Sequence, residues 1–298
     1  MRDLILEFES DFLFEASPYR SEILKDIDQD FVELKKDVKN QKVIKSLIEH
    51  VKEFTNIKNI NISVKEDYNN TFVVPIYNQQ LSLDVIDLFK DFAAGKNLRK
   101  LETVEEVSKY IKKIYIVFGD KSINLFTPRE LTAILLHELG HCFIHTANMP
   151  TMIIGLLRKI VITVELIPKI ILIPLISISL VQLFIITATL FIICRSLTFL
   201  EHRSEYKADQ FASKYGYGDE IIKVLYKLHN IQEEVQSKYS WIKKVLHFIM
   251  EFFIPKTHPK ETQRILKASE EIIVDYKKMY PKVSKELNII LSDIKGEA

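Results

Sequence analysis

The sequence predicts a mainly helical fold of the α+β class, with a small antiparallel sheet and an inserted apolar helical hairpin. Apolar residues recur at helical spacing over most of the chain, whereas short segments within residues 59–77 alternate with a period of two. A third observation is that residues 170–194 form an uncharged stretch of 25 positions. The three patterns indicate that the chain contains helices, a few strands and an apolar segment of the membrane type.

The composition excludes several classes of protein. The 298 residues include 41 basic and 40 acidic side chains, which leaves a net charge of +1 and no long block of one sign. We therefore expect no nucleic-acid binding. The two cysteines, Cys142 and Cys194, are far apart, which favours a reducing compartment over a disulfide framework. Acidic residues interrupt the apolar positions at the start of the chain, so we expect no signal peptide.

The first half of the chain changes its period several times. An apolar stripe over residues 20–55 predicts one long helix or two, within an N-terminal helical region that we assign to residues 1–57. Alternation then predicts three strands, at residues 59–65, 71–77 and 114–118. Helical patterns separate the second and third strands, at residues 81–92 and 104–111. We assign residues 58–150 to a unit that contains this sheet and the helix that follows it.

The helix after the third strand has a clear start signal. Thr127 suits the N-cap, Pro128 suits the first turn, and Glu130 stands three residues after Thr127 as in a capping box. This helix carries the sequence HELGH at residues 137–141. The start signal and the apolar periodicity together predict that the HELGH sequence is helical.

The HELGH sequence has the spacing of a metal site. On a helix, His137 and His141 lie on one face one turn apart, so both imidazoles can reach a single ion. Glu138 stands beside them, where it can take a proton from a water that the metal activates. The pattern therefore predicts a catalytic zinc ion, one per chain, with Glu138 as the general base.

A catalytic zinc requires a third protein ligand and an open position. Three residues compete in the sequence: His145, Glu165 and Glu205. His145 lies too far along a straight helix to meet the same ion, and Glu165 lies within an apolar run. We favour Glu205, because Asp209 four residues later shares its helix face and can hold a ligating imidazole by its second nitrogen.

The ordered motifs resemble a known group of proteins. They are the segment Asn70-Thr71-Phe72 after a strand, residues 130–141 with the sequence ELTAILLHELGH, residues 205–209 with EYKAD, and the Thr257-His258-Pro259 segment followed by Arg264. In this order they are similar to the gluzincin metallopeptidase family that contains the heat-shock protease HtpX and the CAAX prenyl endopeptidases. The resemblance covers about residues 58–266.

The resemblance implies a zinc endopeptidase fold with apolar helices before the third ligand. It also implies that His258 and Arg264 lie near the site and steady either the site or the oxyanion. The sequence departs from this group in two ways: it predicts no membrane helix before residue 137, and its gap between residues 72 and 137 is longer than is usual in the group. The substrate class therefore does not transfer with the resemblance.

The predicted metal site restricts how the apolar segment can cross a membrane. His137 and Glu205 have to meet at one ion, so a single membrane crossing between them is impossible. We predict an apolar membrane-type hairpin at residues 151–200 that crosses twice or dips into the bilayer, and we predict a C-terminal helical part of the peptidase at residues 201–298. Burial of the hairpin against an apolar protein partner remains open.

These patterns together predict a membrane-associated zinc endopeptidase with its catalytic part on the cytoplasmic side. Its partners would be a protein or peptide substrate and a lipid bilayer or apolar protein. We also expect that an extended substrate could pair with an exposed edge strand at residues 114–118. The alternative is a structural or scaffolding membrane protein that keeps the zinc-peptidase fold without useful turnover.

Overall fold

The computed structural model describes residues 18–78, 104–147, 189, 202–241, 243 and 259–269. Its helices are α1 (Pro18–Lys36), α2 (Gln41–Thr55), α3 (Val104–Ser108), α4 (Asp120–Leu125), α5 (Pro128–Ala147), α6 (residues 202–212), α7 (Gly218–Ser237) and α8 (residues 261–269). The strands are β1 (Ile60–Lys65), β2 (Phe72–Tyr77) and β3 (Ile111–Gly119). The mainly helical fold class is confirmed. The predicted helix at 81–92 lies outside the described residues, as does the hairpin at 151–200 except for residue 189.

The N-terminal apolar stripe forms two helices rather than one. The break comes at Asn40, whose side-chain oxygen accepts hydrogen bonds from the backbone N–H groups of Lys42 and Val43 at 3.1 and 3.3 Å and so caps α2. The two helices pack on each other, and His50 of α2 meets Asp30 of α1 at 2.7 Å. Their apolar faces belong to the same hydrophobic core as the sheet and the inner faces of α5 and α7.

The sheet has three strands in the order β1-β3-β2, with β1 parallel and β2 antiparallel to β3. The prediction of an antiparallel sheet is therefore wrong, because the sheet is mixed. The third strand carries three fully buried apolar residues, Ile114, Ile116 and Phe118. The central position of β3 covers both edges of this most buried strand. It separates β1 from β2, so the turn between them does not close a hairpin.

The prediction that residues 114–118 form an exposed edge strand is also wrong, since β3 is paired on both sides. The N–H of Ile114 donates to the carbonyl of Asn59 in line with β1, and the N–H of Gly119 donates to the carbonyl of Asn70, just before β2. Because the direction of these groups alternates along a strand, Pro75, which faces Ile114, has its nitrogen turned away from β3. Its missing N–H therefore removes no bond of the sheet.

The predicted capping box at the start of α5 is formed. The N–H of Thr127 donates to the Glu130 carboxylate at 2.8 Å, and the N–H of Glu130 donates to the Thr127 hydroxyl at 3.3 Å. Lys227 of α7 donates to the same Glu130 carboxylate at 2.6 Å. Burial would raise the pKa of Glu130, but the hydrogen bonds from Lys227 and Thr127 hold it below its ordinary value. The start of the helix that carries HELGH is thus tied to α7.

We expect that Glu130→Ala lowers the free energy of unfolding by about 1–2 kcal/mol through loss of the cap. Glu130→Gln keeps an oxygen for the Thr127 N–H and should cost less. Because the pKa of Glu130 is depressed by folding, its contribution is complete above the pKa of the unfolded chain and is lost as the pH falls through the folded value. Denaturant unfolding of zinc-free wild type and both variants, at neutral and at acidic pH, measures this. A difference between wild type and Glu130→Ala that stays constant into acid would contradict it.

No helix among the described residues is both long enough and apolar enough to cross a membrane.

Candidate metal centre

Two helices bring the predicted metal ligands together. His137 and His141 lie one turn apart on α5, and Glu205 lies on α6, which crosses α5 at this level. Their ligand atoms all lie within 4.8 Å of one another. The side chains of His137 and Glu205 are only 10% and 6% exposed, so the group is formed inside the protein and not on a solvated charged face.

The distances between these atoms fit a tetrahedral zinc ion. The Nε2 atoms of His137 and His141 are 3.1 Å apart. The carboxylate of Glu205 lies 3.2 Å from His141 Nε2 through one oxygen and 3.5 Å from His137 Nε2 through the other. Ligand bonds of about 2.0–2.1 Å in a tetrahedron place neighbouring ligand atoms roughly 3.3 Å apart. The donor set of two imidazoles and one carboxylate is also one that zinc prefers, and it leaves a fourth position open.

The second ring nitrogen of His137 meets a carboxylate. Asp209 Oδ1 lies 2.8 Å from His137 Nδ1, and Asp209 is itself only 3% exposed. Burial disfavours the charged imidazole, but Asp209 and Glu205 outweigh burial and raise the pKa of His137 to about 9. A metal that binds at Nε2 must therefore displace a proton from this ring. The contact at Nδ1 turns Nε2 toward Glu205.

Arg264 of α8 binds the carboxylates behind the metal ligands. Its Nε donates to Asp209 Oδ2 at 2.8 Å and its Nη2 donates to Asp209 Oδ1 at 2.6 Å, in a two-pronged contact. Its Nη1 lies 3.2 Å from Glu205 Oε2. Burial would raise the pKa of Asp209, but His137 and Arg264 lower it below the ordinary carboxyl value, so Asp209 is charged at neutral pH. Arg264 therefore contacts both Glu205, which is a predicted metal ligand, and Asp209, which supports the predicted ligand His137.

His141 has a different outer neighbour. Its Nδ1 lies 3.2 Å from the hydroxyl oxygen of Ser204, which is 4% exposed and directly precedes Glu205 on α6. The two imidazole rings are nearly perpendicular, at 87°, and their Nδ1 atoms contact different side chains, Asp209 for His137 and Ser204 for His141. One imidazole thus faces a charged carboxylate, and the other faces a neutral hydroxyl.

Glu138 lies on α5 directly after His137 and three residues before His141, and it is half-buried. Residues three apart on a helix are surface neighbours, so Glu138 borders the metal ligands without belonging to their donor set. It also contributes, after burial, to raising the pKa of the Cys142 thiol. That cysteine is accordingly a buried, protonated core residue.

Gly140 allows the two ligand helices to approach closely. A Cβ at this position would lie 3.1 Å from the Cα of Ala208 and 3.1 Å from the Cβ of Phe211, both on α6. The Ala208 contact is with the backbone, so it cannot be relieved by rotating a side chain. The glycine in HELGH is therefore a spacing residue that sets how near Glu205 lies to the two histidines.

Gly140→Ala should weaken zinc binding by roughly 5- to 150-fold, since pushing α6 away from α5 costs about 1–3 kcal/mol. Alanine favours a helix by about 1 kcal/mol relative to glycine, so helix α5 itself is not disrupted by the change. Competition with a chromophoric chelator measures the affinity, and thermal unfolding of the zinc-free protein serves as the control for folding. Equal zinc affinities in the variant and in wild type would rule out the spacing role.

Several predicted site residues lie beyond what the structure describes. His258 and Glu165 fall outside the described residues, and His145 lies in α5 with its side chain outside them. Arg264 is placed, and it contacts the Asp209 and Glu205 carboxylates.

The sequence analysis did not identify Ser204 as a residue of the site. The sequence did carry a signal, since Ser204, Ala208 and Ala212 stand four residues apart and so predict one face of small residues on α6; the structure buries all three.

Comparison with known proteins agrees with the site. The family model described as peptidase family M48 matches residues 98–272, which is more than half of the chain. The chain therefore belongs to peptidase family M48, the family that includes HtpX and the CAAX proteases, and the resemblance read from the motifs is confirmed. No curated protein and no solved structure gives a match. Family membership supports a metallopeptidase, and the group of His137, His141 and Glu205 fits its zinc site.

Proposed function

We propose that this protein is a membrane-associated zinc endopeptidase that hydrolyses peptide bonds. The observation that carries the proposal is the convergence of two imidazole Nε2 atoms and one carboxylate at zinc-ligand spacing, with Glu138 on the same helix. A purely structural site does not require a carboxylate beside its ligands, whereas hydrolysis requires a group that accepts a proton. Membership of family M48 supports the same reaction class.

In this proposal His137, His141 and Glu205 hold the ion. When bound, zinc polarises the scissile carbonyl and makes water more acidic. Glu138 takes the proton from the attacking water and returns it to the leaving amine. Asp209 keeps the Nδ1 proton of His137 in place, so that Nε2 remains free for the ion. Arg264 steadies Asp209 and Glu205 from behind.

The substrate would be an extended peptide that pairs with β2. Helix α5 packs against β2, and no described strand pairs with the side of β2 that faces away from β3. On that side Thr71 and Val73 offer both N–H and carbonyl groups, whereas Pro75 offers only a carbonyl. Strand addition would therefore be supported at Thr71 and Val73 and weakened at Pro75.

Membrane association is proposed from residues 151–200. The uncharged stretch at 170–194 is long enough to cross a bilayer as a helix. His137 and Glu205 bind one ion in this proposal, so the chain must return to the side on which it entered. Liposome flotation of the full chain should carry the protein to the lipid fraction, and protein that stays in the dense fraction would favour an apolar protein partner.

Zinc content and cleavage test the enzymatic part. We expect one zinc per chain in the wild type, none retained in His137→Ala, and cleavage of an unfolded protein substrate that a chelator abolishes and added zinc restores. Wild type without zinc would overturn the proposed metal site. Zinc bound at full occupancy with no cleavage would favour the scaffolding alternative.

A further inference from the structure

We propose that Ser204 is a positioning residue for the ligand His141, an inference that rests on the zinc site proposed above. Its hydroxyl oxygen lies 3.2 Å from His141 Nδ1, on the side of the ring away from Glu205. If Nε2 gives its lone pair to a metal, Nδ1 must carry the proton and needs an acceptor. Ser204 Oγ is that acceptor, and it selects the tautomer in which Nε2 is free.

The contact between Ser204 and His141 lies in the interface between α5 and α6. The residue is 4% exposed and immediately precedes Glu205, so the same turn of α6 supplies one ligand and the support for another. Gly140 brings that turn close to α5. Removing the acceptor of an N–H group that is screened from water destabilises the site that holds it. The Ser204 hydroxyl therefore orients the imidazole ring of His141 in addition to packing between the helices.

The two imidazoles would then be held unequally. His137 is supported by an ionised carboxylate that Arg264 clamps, whereas His141 is supported by a neutral hydroxyl. A hydrogen bond to a charged acceptor is roughly twice as strong as one between neutral groups. We therefore assign the hydrogen bond between Ser204 and His141 as the weaker of these two supports.

The test compares zinc affinity in Ser204→Thr and Ser204→Val by chelator competition. The two side chains have nearly the same shape, and only threonine keeps the hydroxyl. We expect zinc binding near the wild-type level with threonine and about 10- to 100-fold weaker with valine. Ser204→Ala, which adds no bulk, should match valine. Cobalt substitution gives a second measure, because the visible absorption of bound cobalt should keep its wild-type form with threonine and change with valine.

The controls separate this inference from the proposed function. Ser108→Ala removes a buried serine hydroxyl that bonds to the carbonyls of Val104 and Thr55, far from the metal ligands in the sequence, and should leave zinc affinity unchanged. Equal affinities in the threonine and valine variants would overturn the positioning role. Wild type that binds no zinc would instead overturn the proposed function, so the two failures are distinguishable.

Discussion

Glu138→Gln is expected to lower the rate of peptide hydrolysis by about 10²- to 10⁴-fold while one zinc stays bound, because the amide cannot accept the proton of the attacking water. Glutamine has nearly the same shape, so the ligands on either side, His137 and His141, should keep their places. The measurement is the cleavage rate of an unfolded protein substrate at matched zinc occupancy. The loss should appear in kcat, since proton transfer acts in the chemical step.

A surface glutamate gives the matched control for that variant. Glu49→Gln removes an exposed carboxylate that pairs with Lys52 in the neighbouring turn, and it should leave the rate unchanged. Zinc retained in Glu138→Gln together with a wild-type rate would remove Glu138 from the mechanism. Loss of zinc from Glu138→Gln would show that this carboxylate holds the ligand set together, contrary to the general-base role.

The largest effect on stability is expected from Arg264→Met. The change removes the guanidinium group from the carboxylates of Asp209 and Glu205, which are 3% and 5% exposed. Removing one partner of a buried ion pair typically costs about 3–5 kcal/mol. Denaturant unfolding of the zinc-free protein measures the loss. Zinc affinity should fall as well, by about 10- to 100-fold, because Asp209 no longer holds His137 firmly.

Two other arginine variants calibrate the loss from Arg264→Met. Arg129 pairs with one carboxylate, Glu220, at 2.9 Å; Glu220 is 11% exposed but Arg129 is 57% exposed, so Arg129→Met should cost less than Arg264→Met, about 1–2 kcal/mol. Arg264→Lys keeps the positive charge but loses the fork that spans Asp209, and it should fall between wild type and Arg264→Met. Equal unfolding free energies for Arg264→Met and Arg129→Met would mean that Arg264 contributes no more than a surface arginine.

The parts of the site that could be predicted were those encoded in local spacing. The i, i+4 relation of His137 and His141 follows from helix geometry alone. The capping box from Thr127 to Glu130 spans only four residues, and both of its hydrogen bonds are present. In both cases the interacting side chains lie within about one turn of the same helix. No distant contact is needed to bring them together.

The parts that could not be predicted depend on distant segments. Strand pairing is one example, because period-two alternation identifies strands without giving their neighbours. Residues 114–118 were therefore predicted at an edge, and they lie at the centre of the sheet. Arg264 is another, since its contacts with Asp209 cross 55 residues of chain. The resemblance indicated only that this arginine belongs near the site.

The metallopeptidase family and the helix that carries His137, Glu138 and His141 can both be read from the amino-acid sequence, because short-range periodicity and ordered motifs encode them. Three features became visible in the folded chain alone: the sheet is mixed, Gly140 sets the distance between the ligand helices, and His137 and His141 have different supports. The physical reason is that packing and buried hydrogen bonds depend on which distant surfaces meet. A local sequence pattern determines which face of its own helix a side chain occupies. Which residue it contacts on that face depends on how the helices and the sheet pack together.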